Sequence, residues 1–283
     1  MLFRSTETWI YDLLRLSAKF GTHLNISPAS IHNLIPVMCP SQSLISKIYA
    51  ARLSKTGLSI KGTTDSNWDD CLARVNYPAQ RTSAIACGEQ YSAVALSDGA
   101  LYIYFQESTL VKHSLKNDER ANILVFSSED RYLASSGLKQ ISLWDPVEGS
   151  HLWAFDMAHE SLALTFVQDE DTLVAATKGN YTVHWDLHKR EEIGRWQWTD
   201  SLQGTTHEQK NWGQPNKALF SPNHAALAVS YRRFPLYLFD VTTQQFLGSF
   251  NRDTTIGLSG ASNLFIVDGL AFNPNSEIGR AHV

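Results

Sequence analysis

The chain has 283 residues, 43% of them hydrophobic, and a formal net charge of -4 at pH 7. That length and apolar content allow one large or two modest domains with a sizeable core. The mild negative balance, with no Lys/Arg block, argues against nucleic acid or an anionic membrane surface as partner, and no window is apolar over a membrane-spanning length.

In chain order, Trp9, Ile10, Leu13, Leu14, Leu16 and Phe20 recur mostly at three- and four-residue steps, which predicts an amphipathic helix stopped by Gly21. Ser27-Pro28 reads as cap and first residue of a short second helix ending near Asn33. Ser41 to Ala51 reads as a third, with Leu44, Ile45, Ile48 and Tyr49 on one face. Residues 1–52 are therefore expected to be a helical segment. Residues 53–81 read as a Ser/Thr/Gly/Lys-rich linker in which Trp68 to Val75 could supply a closing strand.

From Thr82 the pattern changes to short apolar runs punctuated by turn residues. Ser83–Ala86, Ser92–Leu96, Leu101–Phe105 and Leu110–Leu115 form a first group, with Ser97-Asp98-Gly99 as a strong hairpin turn. Ile123–Phe126, Tyr132–Ala134, Ile141–Trp144 and Leu152–Phe155 form a second. Leu162–Phe166, Thr172–Ala176, Thr182–Trp185 and Ile193–Trp196 form a third, and Ala218–Phe220, Ala226–Ser230, Leu236–Phe239 and Phe246–Phe250 a fourth. Ile266 to Phe272 resembles the first strand of a fifth.

The groups keep a period. Trp185-Asp186 follows Trp144-Asp145 after about 41 residues and Phe166 follows Phe126 after about 40, the spacing of propeller blades. One four-stranded sheet cannot cover both its faces, and radial stacking of such sheets buries them. The expected fold class is all-β: a partial β-propeller of four-stranded antiparallel blades over residues 82–283, preceded by a short α-helical segment. Four blades and the start of a fifth leave the ring open, so the natural protein is expected to continue.

Trp144, Asp145, Trp185 and Asp186 read as framework, with Phe239-Asp240 in the same place of the fourth group and Asp98 at a turn. Strand alternation places the aromatic residue in the sheet core and the Asp at the hairpin. His184 and His188 are four apart, but a turn separates them, and Asp169, Glu170 and Asp171 read as a solvated turn, so no metal is expected. The cysteines, Cys39, Cys71 and Cys87, are odd in number without Cys-x-x-Cys spacing, which suits free thiols in a reducing cytoplasm. No catalytic constellation and no cofactor motif emerges, and no Gly-x-x-x-x-Gly-Lys-Ser/Thr run is present. The best candidates for binding a protein or peptide lie in the polar insertion of residues 199–216 and beside it, Trp198, His207, Lys210 and Trp212, and in a hairpin of the fourth group, Arg232 and Arg233.

The runs ISLWD (Ile141 to Asp145) and TVHWD (Thr182 to Asp186), with FSS, FVQD, FSPN and FNPN after the inner strands, resemble the WD-repeat family. Residues 26–50 and 64–88 are similar to the segment leading into the propeller of fungal NACHT/WD-repeat proteins, which are NLR-like signalling NTPases of the vegetative-incompatibility type. The resemblance implies a non-catalytic, ligand-sensing propeller whose NTPase half is absent here. It departs from the family in lacking the Gly-His pair, and Gly179 and Arg233 stand where a turn Asp is expected, so the tryptophan hydrogen-bond network is expected to be incomplete. A constitutive scaffold is the alternative. A propeller hydrolase is a more remote one, because Ile123–Phe126, Leu162–Phe166 and Ala218–Phe220 hold no carboxylate.

Overall fold

The computed structural model describes residues 2–50, 65–69, 75–106, 110–167, 171–205, 213–232, 234–250 and 269–273. The chain divides into two compact units, Met1–Pro78 and Ala79–Val283.

In the first unit α1 (Leu2–Ile26) is followed by the single turns α2 (Ser30–Asn33) and α3 (Ile35–Met38) and by a π-turn over Ser46–Ala50. Helix α1 runs through Gly21, where propensity places a stop. A glycine inside a helix costs only about 1 kcal/mol, and Phe20 and Leu24 on either side of it pack into the core with Leu16, Ile35, Cys39 and Ile45. The buried residues of α1 are Asp12, Arg15, Leu16 and Phe20, whereas Ile10, Leu13 and Leu14 are 54%, 49% and 58% exposed. Asp12 decides that rotation. Its carboxylate, 2% exposed, accepts from the backbone N–H of Leu44 and from Trp68 Nε1 at 2.7 Å. Trp68 is thereby a core residue of the helical unit, and residues 70–74 of the expected closing strand lie outside the described residues. Ser27-Pro28 shapes the turn before α2, with Ser30 N–H donating to Ser27 O at 3.0 Å.

The second unit is an all-β partial propeller. Its strands are β1 (Thr82–Cys87), β2 (Tyr91–Leu96), β3 (Ala100–Phe105), β4 (Val111–Lys116), β5 (Ile123–Phe126), β6 (Leu133–Ser136), β7 (Gln140–Asp145) and β8 (Ser150–Asp156). They continue as β9 (Ser161–Val167), β10 (Thr172–Thr177), β11 (Tyr181–Asp186), β12 (Glu191–Gln197), β13 (Lys217–Phe220), β14 (Ala226–Ser230), β15 (Leu236–Asp240) and β16 (Gln245–Phe250). Four antiparallel meanders result, β1 to β4, β5 to β8, β9 to β12 and β13 to β16, each paired in sequence order. The first strands lie side by side, β1 with β5, β5 with β9 and β9 with β13. Of the fifth-blade expectation, residues 266–268 lie outside the described residues, and Phe272 makes an isolated β-bridge.

Apolar layers between neighbouring sheets hold the stack. Trp144 of the second blade packs with Ala93, Leu101 and Ile103 of the first. Trp185 of the third packs with Ile141, Leu143 and Phe155 of the second, and Phe239 of the fourth with Val174, Ala176 and Trp196 of the third. Each framework aromatic thus faces backwards onto the preceding blade. Every third-to-fourth-strand pairing shifts register immediately before this position, between Ile103 and Tyr104, Leu143 and Trp144, His184 and Trp185, and Leu238 and Phe239. A bulge adds a residue to one strand and increases local twist. Here the residues passed over are Lys112, Leu152, Ile193 and Leu247 of the outer strands, and Ile193 and Leu247 are 49% and 54% exposed.

Candidate functional site

The Asp of each framework pair closes the following hairpin. Asp145 Oδ1 accepts from the N–H groups of Val147 and Glu148 at 2.8 and 2.9 Å, and Asp186 Oδ1 from those of His188 and Lys189 at 2.9 and 2.8 Å. Asp240 Oδ1 accepts from Thr243 N–H at 2.7 Å. These backbone bonds favour the charged carboxylate and hold Asp186 and Asp240 below the ordinary range. Asp98 accepts from Ala100 N–H at 3.1 Å beside Gly99, whose φ of +86° suits a residue without Cβ. Trp144 Nε1 donates to Ser135 Oγ at 2.9 Å, in a sheet where Ser142 Oγ also donates to Asn117 Oδ1.

At the end of the stack carrying the links from one blade to the next, acidic side chains reach the following blade. Glu119 accepts from the N–H groups of Lys139 and Gln140 at 3.0 and 2.8 Å, and Glu160 pairs with Lys178. The two stretches singled out from sequence meet here. Trp198 is not an exposed anchor: it opens a 3-10 turn over Trp198–Leu202, is 0% exposed and donates from Nε1 to Tyr231 Oη at 2.8 Å. Its apolar bulk fills the layer between the third and fourth blades, which is why polar neighbours in sequence mislead about its exposure. Tyr231 Oη in turn donates to Asn180 Oδ1 at 2.6 Å, and Asn180 Nδ2 donates to Gly213 O at 3.2 Å. Both feet of the insertion are therefore fixed to the hairpins of these two blades, and burial raises the Tyr231 hydroxyl well above its ordinary pKa. Arg232 follows Tyr231 and is exposed. His207, Lys210, Trp212 and Arg233 lie outside the described residues.

The other end carries the turns between first and second strands. In the second and fourth blades these turns use the same plan. Ser127 N–H donates to Tyr132 O at 2.9 Å and Ser221 N–H to Ala226 O at 2.8 Å, and Asp130 and His224 adopt φ of 56° and 59° in matching places. Both reach back one blade. Asp130, 0% exposed, accepts from the N–H groups of Glu89, Gln90 and Tyr91 at 3.0, 2.5 and 3.0 Å. His224 Nδ1 lies 2.6 Å from Thr165 Oγ1.

Beside His224 the inner strands β5, β9 and β13 enclose a cleft of about 540 Å³, walled by Ile123, Val125, Leu162, Leu164 and Leu219 and bordered by Phe272. Among the described residues no Asp, Glu, Lys or Arg lines it. The sequence signal for it was the carboxylate-free inner strands, which do not show how the strands converge.

His184, whose Nε2 lies 3.1 Å from Thr182 Oγ1, and His188, beside Asp171, do not converge. Among the described residues no three His, Cys, Asp or Glu side chains form a group able to hold a metal ion. Cys39 is buried and its thiol is pushed up to about 12 by burial, whereas Cys87 is exposed. Among the described residues no helix is long and apolar enough to cross a membrane.

Burial lowers the pKa of His184 and His224 below their ordinary 6.5. The fold favours their neutral forms, so their contribution to stability is full above 6.5 and is lost as pH falls through the lowered folded values. Urea midpoints are expected to fall between pH 7 and pH 5, and to fall less in a His184→Gln/His224→Gln double variant. An equal fall in both proteins would place the acid sensitivity elsewhere.

In comparison with known proteins, the chain matches no family model and no curated protein.

Proposed function

We propose that this chain is a non-catalytic, protein- or peptide-binding propeller of the WD-repeat type that serves, in the cytoplasm, as the ligand-sensing part of an NLR-like signalling NTPase. The reading is supported by one contrast within the repeats. The framework is constant, with an aromatic residue turned onto the preceding blade and, in the second to fourth blades, an Asp closing the hairpin. The features that vary are the pinned insertion with Arg232 beside it at one end and the cleft at the other. Constant packing with variable edges is how repeat folds present binding surfaces.

Peptide-display selection on the whole chain tests the binding reading: recovery of one related set of sequences is the expected result, and recovery of none counts against it. The sensor reading further expects an in-frame phosphate-binding Gly-x-x-x-x-Gly-Lys-Ser/Thr run upstream in the natural transcript. A transcript without that run favours a constitutive scaffold.

A further inference from the structure

The cleft between the inner strands narrows the binding reading, on which this inference rests. A carboxylate or ammonium entering the cleft would lose water and find no counter-ion among the described residues that line it. Uncharged apolar surface gains about 25 cal/mol for each Å² it buries. Chemistry alone would admit a small apolar molecule or an apolar peptide. The backbone favours the peptide. In their own sheets β5, β9 and β13 are edge strands, each with one long side unpaired in that sheet, and a free strand edge is matched by another extended main chain. The chain itself provides the precedent: Leu270, Ala271 and Phe272 line the cleft, and Phe272 forms a β-bridge. The lining therefore already includes a large-small-aromatic run of the chain itself.

We propose that the cleft lined by Ile123, Val125, Leu162, Leu164 and Leu219 docks an extended, uncharged segment of a partner protein carrying bulky apolar side chains at alternate positions. Residues two apart in a strand point to one side, so such a segment presents a continuous apolar row while its main chain stays available to a strand edge.

The test uses the full chain and a capped, fluorescent peptide copying residues 269–273, followed by anisotropy. The tethered copy competes at high effective concentration, so a Phe272→Ser chain is measured alongside and is expected to bind more tightly. Leu219→Arg places a charge in the cleft from a half-buried position and is expected to weaken binding about tenfold or more, a cost of roughly 1.4 kcal/mol. Ile123→Arg serves as the second variant, with a urea midpoint to identify any chain that fails to fold. A peptide with Lys in place of its Leu is expected to bind equally weakly. No saturable binding by the wild-type or Phe272→Ser chain, or equal binding by all peptides and variants, overturns the proposal. An environment-sensitive apolar dye that binds and is not displaced by the peptide also overturns it, in favour of a small molecule. Display-selected peptides that retain full affinity for Leu219→Arg overturn the cleft alone, whereas failure to select any peptide overturns the binding reading as well.

Discussion

Replacing Asp130 by Ala should destabilise the blade stack by about 3 kcal/mol, read as a lower urea midpoint with little change in slope. The carboxylate is fully buried and takes three backbone N–H groups of the first blade's turn. Its removal takes the acceptor from all three, and the N–H of buried Tyr91 in particular then carries a desolvation cost. Asn should recover only part of the loss, because one amide oxygen replaces two and the amide hydrogens face donors. Gly88→Ala tests the same contact from the other side. A Cβ at Gly88 would lie 1.7 Å from Asp130 Oδ1, so the carboxylate must leave its place. The two single variants should therefore lose similar stability, and the double variant should lose less than their sum. Full additivity would mean that the latch is not one interaction.

Trp198→Ala should cost about 3–5 kcal/mol, the range for a large aromatic removed from a core. The ring is 0% exposed between Trp196, Leu202, Tyr231 and their neighbours in the layer joining the third and fourth blades. Loss of its N–H also leaves Tyr231 with one partner fewer. Tyr231→Phe should cost less, about 1–3 kcal/mol, since the ring stays but the buried Trp198 N–H loses its acceptor. Near-UV circular dichroism and urea unfolding separate the two effects. A Trp198→Ala chain as stable as wild type would show that the insertion's foot carries none of the blade packing and would restore this residue as a candidate for contact with a partner.

Much of the fold was legible because the relevant forces act over short stretches of chain. The apolar runs around Phe126 and Phe166, the Asp-Pro and Asp-Gly turns and the repeat of Trp-Asp set strand length, turn position and period, and the four observed meanders follow those boundaries to within a residue or two at most ends. The helices were less legible. Gly21 weighs little against packing on either side of it, and the buried face of α1 is set by Asp12, a polar residue that periodicity counts as outward-facing until Trp68 and Leu44 are brought to it.

The candidate site divides in the same way. Arg232 is exposed as its polar hairpin suggests, while Trp198, next to a polar stretch, is buried because its partner Tyr231 lies 33 residues away. The cleft needed three strands from three blades, so no local window contains it. In sequence Asp130 is one residue of the polar run Ser127–Asp130 between two strands. Only its left-handed backbone, φ 56°, aims the carboxylate at the preceding blade.

The sequence by itself determined that this protein is a succession of four-stranded meanders with an aromatic residue and an Asp at fixed places, because alternation and turn chemistry are properties of neighbouring residues. The tertiary structure alone decided which way each aromatic faces, where the bulges fall, which carboxylates are latches and where a ligand could lie. Those outcomes depend on burial and hydrogen bonds between blades, whose partners lie tens of residues apart in the chain and are brought into contact only when the sheets stack.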